Sequence, residues 1–98
     1  MSITQMNQIE NKPWGSYEVL LDEPNYKVKR IVVDAYQRFS LQYHKHREEH
    51  WVIVDGSGTV EIKGREFLAI TRSHWVILPK ETHRATAGPN GLVFIETQ

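Results

Sequence analysis

A chain of 98 residues and 11.5 kDa has room for one domain. Twelve Lys and Arg balance twelve Asp and Glu, with a pI of about 7.0, so the basic footprint of a nucleic-acid binder is missing and an anionic membrane has little to attract. The chain contains no cysteine, which excludes disulfides and thiolate chemistry and fits a cytoplasmic protein. No apolar stretch approaches the roughly 20 residues that span a bilayer.

Residues 1–12 are polar and aperiodic, and read as an N-terminal arm ahead of a domain over residues 13–98. No apolar run follows a basic region there, so no signal peptide is expected. Beyond Pro13-Trp14-Gly15 come short apolar runs. They predict strands over Tyr17–Leu21, Tyr26–Asp34, Phe39–His44, Glu49–Val54, Thr59–Lys63, Glu66–Thr71, Trp75–Leu78, His83–Ala87 and Leu92–Glu96. Turn signals separate several of them: Asp22-Glu23-Pro24-Asn25, Asp55-Gly56-Ser57-Gly58, Lys63-Gly64-Arg65 and Gly88-Pro89-Asn90-Gly91. No segment sustains a helical period with caps. The pattern predicts an all-β sandwich or barrel in a single small domain.

The densest chemistry lies in residues 42–50, QYHKHREEH. In the predicted strand, alternate side chains share a face. Ser40, Gln42, His44 and His46 then point one way, and Phe39, Leu41 and Tyr43 the other. An amide oxygen and two imidazoles on one face offer a metal platform, which Glu49 and the distant His83 are able to close. The alternative is a set of polar side chains that merely satisfy one another. If the platform points inward, three apolar side chains point outward and need cover. Either the Trp14 and Tyr17 region folds over them, or they form a homodimer interface, which a domain of this size commonly uses.

The run Tyr36-x5-Gln42-x-His44-x4-Glu49-x6-Gly56 resembles the first cupin motif, with Tyr36 in place of its usual Gly and Gln42 in place of its first His. The second motif is partial. Pro79 and His83 are present, but Glu81 replaces a Gly, the spacing is one residue short, and no Asn follows the His. Residues 12–20 (KPWGSYEVL), 26–33 (YKVKRIVV), 38–58 (RFSLQYHKHREEHWVIVDGSG), 76–84 (VILPKETHR) and the terminal FIETQ resemble one subfamily more narrowly. It is the C-terminal cupin domain of the type II mannose-6-phosphate isomerases, usually joined to a mannose-1-phosphate guanylyltransferase. No Gly-rich phosphate loop or nucleotide-binding sheet fits in this chain, so the transferase activity is not implied.

The resemblance implies a cupin jelly-roll β-barrel and a metal-dependent sugar-phosphate isomerase interconverting mannose 6-phosphate and fructose 6-phosphate. It also implies Gln42, His44, Glu49 and His83 as ligands of one divalent ion, with His46 as a substitute ligand or an orienting neighbour. Two imidazoles, a carboxylate and an amide oxygen suit Zn, Mn, Fe, Co or Ni. Arg84, which directly follows His83, and Arg47 are the arginines that the motif sets beside the site, and each matches a phosphate with its planar fork. The general base is unassigned among His46, Glu48 and Glu81. His50 has the opposite parity to Glu49 and points away, and Trp51, Trp75 and Phe94 read as core. Two other classes stand beside the isomerase: a non-catalytic module binding a sugar or sugar phosphate, and another cupin enzyme such as a dioxygenase or epimerase.

Overall fold

The computed structural model describes residues 8–98. The described chain forms seven strands: β1 (Gln8–Lys12), β2 (Gly15–Glu23), β3 (Tyr26–Val33), β4 (Glu49–Ile62), β5 (Arg65–Ala69), β6 (His74–Ile77) and β7 (His83–Thr97). No helix in it is long and apolar enough to cross a membrane. All strand pairs are antiparallel. The order is β1-β2-β3-β7-β4-β5, with β6 also on β4.

The two long strands organise the molecule. β4 and β7 pair from His50↔Thr97 to Gly56↔Leu92, and again from Gly58↔Ala87 to Ile62↔His83. In the first half β7 also carries β3 and β4 carries β6. In the second half β4 carries β5, and β7 carries the 38–42 segment through the bridges Arg38↔Thr86 and Gln42↔His83. Two layers therefore share β4 and β7, which bend between them. Gly56 sits at the bend with φ +76°, and a Cβ there would lie 2.1 Å from the Gly91 carbonyl oxygen, so only glycine allows the two chains to approach so closely.

Between the layers lie Val33, Phe39, Trp51, Ile53, Val60, Ile77, Leu92 and Phe94, all buried. The alternation along β7 (Leu92, Phe94 and Glu96 in, Val93 and Ile95 out) is that of a strand with one face on a core.

Three expectations change. The predicted pairs Glu49–Val54 with Thr59–Lys63, and His83–Ala87 with Leu92–Glu96, are each one continuous strand. Their intervening turn signals bend the ladder without reversing the chain, and residues 88–91 loop out opposite Ser57. Residues 39–44 are not a regular strand, because they meet β7 only at isolated positions. Strict alternation is therefore lost. Phe39 turns inward (6 % exposed) against Trp14 and Trp51, while Leu41 and Tyr43 remain outside (46 % and 56 %). Tyr36, at the motif's usual glycine, holds a left-handed φ of +63° just before this segment, which is the reason glycine suits the position. Last, the latter half of the expected arm is β1, paired with β2; residues 1–7 lie outside the described part.

Candidate metal and anion site

Glu49 opens β4 and His83 opens β7, both on the core side, and the irregular 39–47 segment folds across them. His44 Nε2 lies 3.2 Å from Glu49 Oε2, and His83 Nε2 lies 3.7 Å from Glu49 Oε1. One potential ligand atom from each of the three residues falls within 4.8 Å of the others. The His83 Nδ1–H donates to the Glu81 carbonyl oxygen at 2.9 Å, which fixes the tautomer that leaves Nε2 bare toward the carboxylate. The shortened second motif thus still delivers His83. The bridge Gln42 N–H to His83 O (3.0 Å) and His83 N–H to Gln42 O (2.8 Å) holds Gln42 beside it, and Gln42 lines the same cavity.

Arg47 already touches the acceptor atoms of this trio. Its Nε and Nη2 donate to Glu49 Oε2 at 2.8 and 2.5 Å, and Nη2 donates to His44 Nε2 at 2.7 Å. Trp51 Nε1 donates to Glu49 Oε1 at 3.0 Å. Burial pushes the Glu49 carboxyl up, but the Arg47 hydrogen bonds and charge, with the Trp51 N–H, outweigh it, and the group lies below the usual carboxylate range. His44 is pushed down by burial and then by the Arg47 charge, against the pull of Glu49. A neutral imidazole and an ionised carboxylate are the states in which these side chains ligate a metal. The donor set fits a divalent cation of the zinc or manganese kind; His44, Glu49 and His83 would hold it, and Arg47 occupies two of their donor atoms here.

Gln42, Arg47, Glu49, Trp51 and His83 line a cavity of about 310 Å³ together with Lys12, Trp14, Tyr17, Lys29, Phe39 and Glu96. Glu96 is 5 % exposed, faces inward from β7, and accepts from Gln98 Nε2 at 2.5 Å. Burial, and then the negative charge of Glu49, raise its pKa to about 7.

Several expected residues stand elsewhere. Arg84 follows His83 along the strand, so it faces the opposite side and pairs with Glu61 at 3.4 Å; it does not line the cavity. His46 is exposed and outside the trio. Glu48 pairs with His50 at 2.6 Å on the outer surface, and Glu81 accepts the Leu78 N–H at 2.8 Å outside the cavity. The cavity residues that motif reading missed are Lys12, Lys29 and Glu96. Two of these left a trace in strand parity: Lys29 is in step with buried Ile31 and Val33, and Glu96 with Leu92 and Phe94.

Comparison with known proteins settles the family. The profile of the mannose-6-phosphate isomerase C-terminal family matches residues 2–98. This chain belongs to that family. Among curated relatives, a mannose-1-phosphate guanylyltransferase from Klebsiella pneumoniae is 37 % identical over 78 residues, covering 80 % of this chain and 16 % of the relative. The alginate biosynthesis protein AlgA of Pseudomonas aeruginosa is 38 % identical over 88 residues, covering 89 % and 18 %. This member of the mannose-6-phosphate isomerase C-terminal family thus spans less than a fifth of the length of either relative. Solved structures show the fold. An RmlC-like cupin from Shewanella frigidimarina superposes with a TM-score of 0.85 at 21 % identity, over 98 % of this chain and 86 % of that one. The capsular polysaccharide assembling protein CapF of Staphylococcus aureus also gives 0.85, at 15 % identity over 96 % and 30 %. The fold is the small cupin barrel that the motifs implied.

Proposed function

We propose that this cupin domain is a metal-dependent sugar-phosphate isomerase acting between mannose 6-phosphate and fructose 6-phosphate. The observation that carries the reading is the convergence of His44, Glu49 and His83 within 4.8 Å, with Glu49 and His83 on the wall of a cavity, in a chain of this family. His44 and His83 would hold the ion through Nε2 and Glu49 through its carboxylate, with Gln42 adjacent. A divalent ion held there supplies the electrophile that polarises a sugar carbonyl and stabilises charge developing on its oxygen. Trp51 and Arg47 keep Glu49 ionised, and the Glu81 carbonyl holds the His83 ring through Nδ1 with Nε2 toward Glu49. Exchange of a proton between neighbouring sugar carbons needs a base inside the cavity. By position that role falls to Glu96, the second carboxyl of its lining. A cytoplasmic location belongs to the same reading, since the chain has no cysteine. So does a homodimer, with the exposed apolar side chains Val52, Val54, Val76 and Leu78 facing a second copy; sedimentation of the chain as a monomer at micromolar concentration would remove the dimer.

One observation favours a second reading, sugar-phosphate binding without turnover: the Arg47 guanidinium sits on the ligand atoms and meets their need for a cation without any metal. Metal analysis of untagged protein, followed by an isomerase assay with each of Zn, Mn, Fe, Co and Ni, separates the two. Bound metal and turnover are expected. Protein that takes up no metal and interconverts nothing, yet retains sugar-phosphate affinity, would replace the isomerase by the binding module.

A further inference from the structure

Glu49 and His83 of the trio share the cavity lining with Lys12, Tyr17 and Lys29. Lys12, Tyr17 and Lys29 stand on the adjacent strands β1, β2 and β3. Lys29 Nζ lies 4.5 Å from the Tyr17 ring centroid and Lys12 Nζ lies 5.9 Å from it. Lys12 is paired with the exposed Glu10 at 3.4 Å, and Arg47 with Glu49. Lys29 instead rests on the face of an aromatic ring, which supports a cation without neutralising it. Lys29 is half-buried, in step with Ile31 and Val33 on the core side of its strand, with Glu96 opposite it in the register, and a cation in such a place is favoured by a further anion.

The register gives the spacing. Lys29 pairs with Glu96, and Glu96 with Trp51, so Lys29 is two strands from the side chain that holds Glu49, about 10 Å at the usual strand separation. A six-carbon sugar phosphate has its carbonyl near one end and its phosphoryl group at the other, and is of comparable length. Arg84, the arginine that the motif suggested, faces away. Three cations and two carboxyls line the cavity, a balance that favours an anion.

We propose that Lys29, with Lys12 at the rim, is the anion subsite of this cavity and takes the phosphoryl group of a phosphate monoester. The sugar part of that ligand rests on the isomerase reading; the anion subsite does not. The test uses the full chain stripped of metal by chelator and dialysed, with inorganic phosphate, fructose 6-phosphate and fructose as probes in calorimetric or NMR titrations. Lys29→Met keeps the aliphatic stem on Tyr17 and removes the charge. It is expected to weaken phosphate and fructose 6-phosphate binding about tenfold to a hundredfold, the scale of a hydrogen bond to a charged group, to leave fructose binding and the melting temperature unchanged, and to be rescued by Lys29→Arg. Retained phosphate affinity in Lys29→Met would overturn the subsite. So would a wild-type protein that binds fructose 6-phosphate no better than fructose, or a loss that comes with a lowered melting temperature and that Lys29→Arg does not restore. Because no metal or turnover enters the measurement, failure of the isomerase assay and failure of this subsite are read separately.

Discussion

The inner and outer sides of the two long strands differ by a single step along the chain and share almost no chemistry. Inside, Glu49, Trp51, His83 and Glu96 are buried, mutually hydrogen-bonded or close-packed, and face a cavity. Outside, the immediate neighbours His50 and Arg84 make partly exposed ion pairs with Glu48 and Glu61. The inner side shifts its titrating groups, with Glu49 and His44 down and Glu96 up. Residue type therefore says little about role here. The same kinds of side chain become a buried cluster or a solvated pair according to which way the strand turns them.

The comparison breaks first at the histidines. His83→Ala is expected to abolish metal retention, whereas His50→Ala, on the outer side, leaves it intact; metal analysis after gel filtration reads both. Equal losses in the two variants would erase the distinction between the faces.

Stability is the next largest contrast. Trp51 is 1 % exposed, meets Phe39, Phe94 and His83, and donates to Glu49. Trp51→Ala should cost about 3–5 kcal/mol in denaturant unfolding, the usual scale for a buried aromatic. A loss below about 1 kcal/mol would show that the inner wall is not packed as described.

Arg47 sharpens the picture from the opposite direction. If its guanidinium competes with a metal for His44 and Glu49, Arg47→Met should tighten metal binding, by about tenfold to a hundredfold if one charged hydrogen bond sets the difference. Competition with a chelating dye measures this, and weaker binding in the variant would mean that Arg47 assists the ion.

Glu96 supplies a pH signature. Its folded pKa of about 7 lies above the ordinary 4.5, so the protonated form favours the fold. That contribution is complete below about 4.5 and lost as pH rises through about 7. The wild-type melting temperature should therefore carry a decline across this window that Glu96→Gln lacks, and matching profiles in the two proteins would contradict the burial of an ionising carboxyl. The smallest effect belongs to the outer side. Arg84→Ala should change stability by no more than about 1 kcal/mol, as partly exposed ion pairs do, and leave phosphate affinity untouched.

Much of this molecule was legible in one dimension. Short alternating runs, turn signals and the lack of helical periodicity were enough for an all-β domain, because the period of two is a local property of strands. The motif spacing brought out Gln42, His44, Glu49 and His83; the structure brings His44, Glu49 and His83 within 4.8 Å of one another and sets the Gln42 backbone beside His83. What the spacing missed depended on non-local pairing. Phe39 turns inward because its segment meets β7 only at isolated bridges, and the Gly-rich signals at 55–58 and 88–91 bend a continuous ladder because each finds the other across it. Adjacency to His83 made Arg84 look like a phosphate anchor, whereas strand parity turns it outward. Residue types, their periodicity and the family could be read along the chain alone. That Lys12, Lys29 and Glu96, carried on β1, β3 and β7 and separated by up to 84 positions in the chain, share one cavity with Glu49 and His83 came from how those strands pair in space. Local propensity acts on neighbours in sequence, but the field and the shape of a site are summed over neighbours in space.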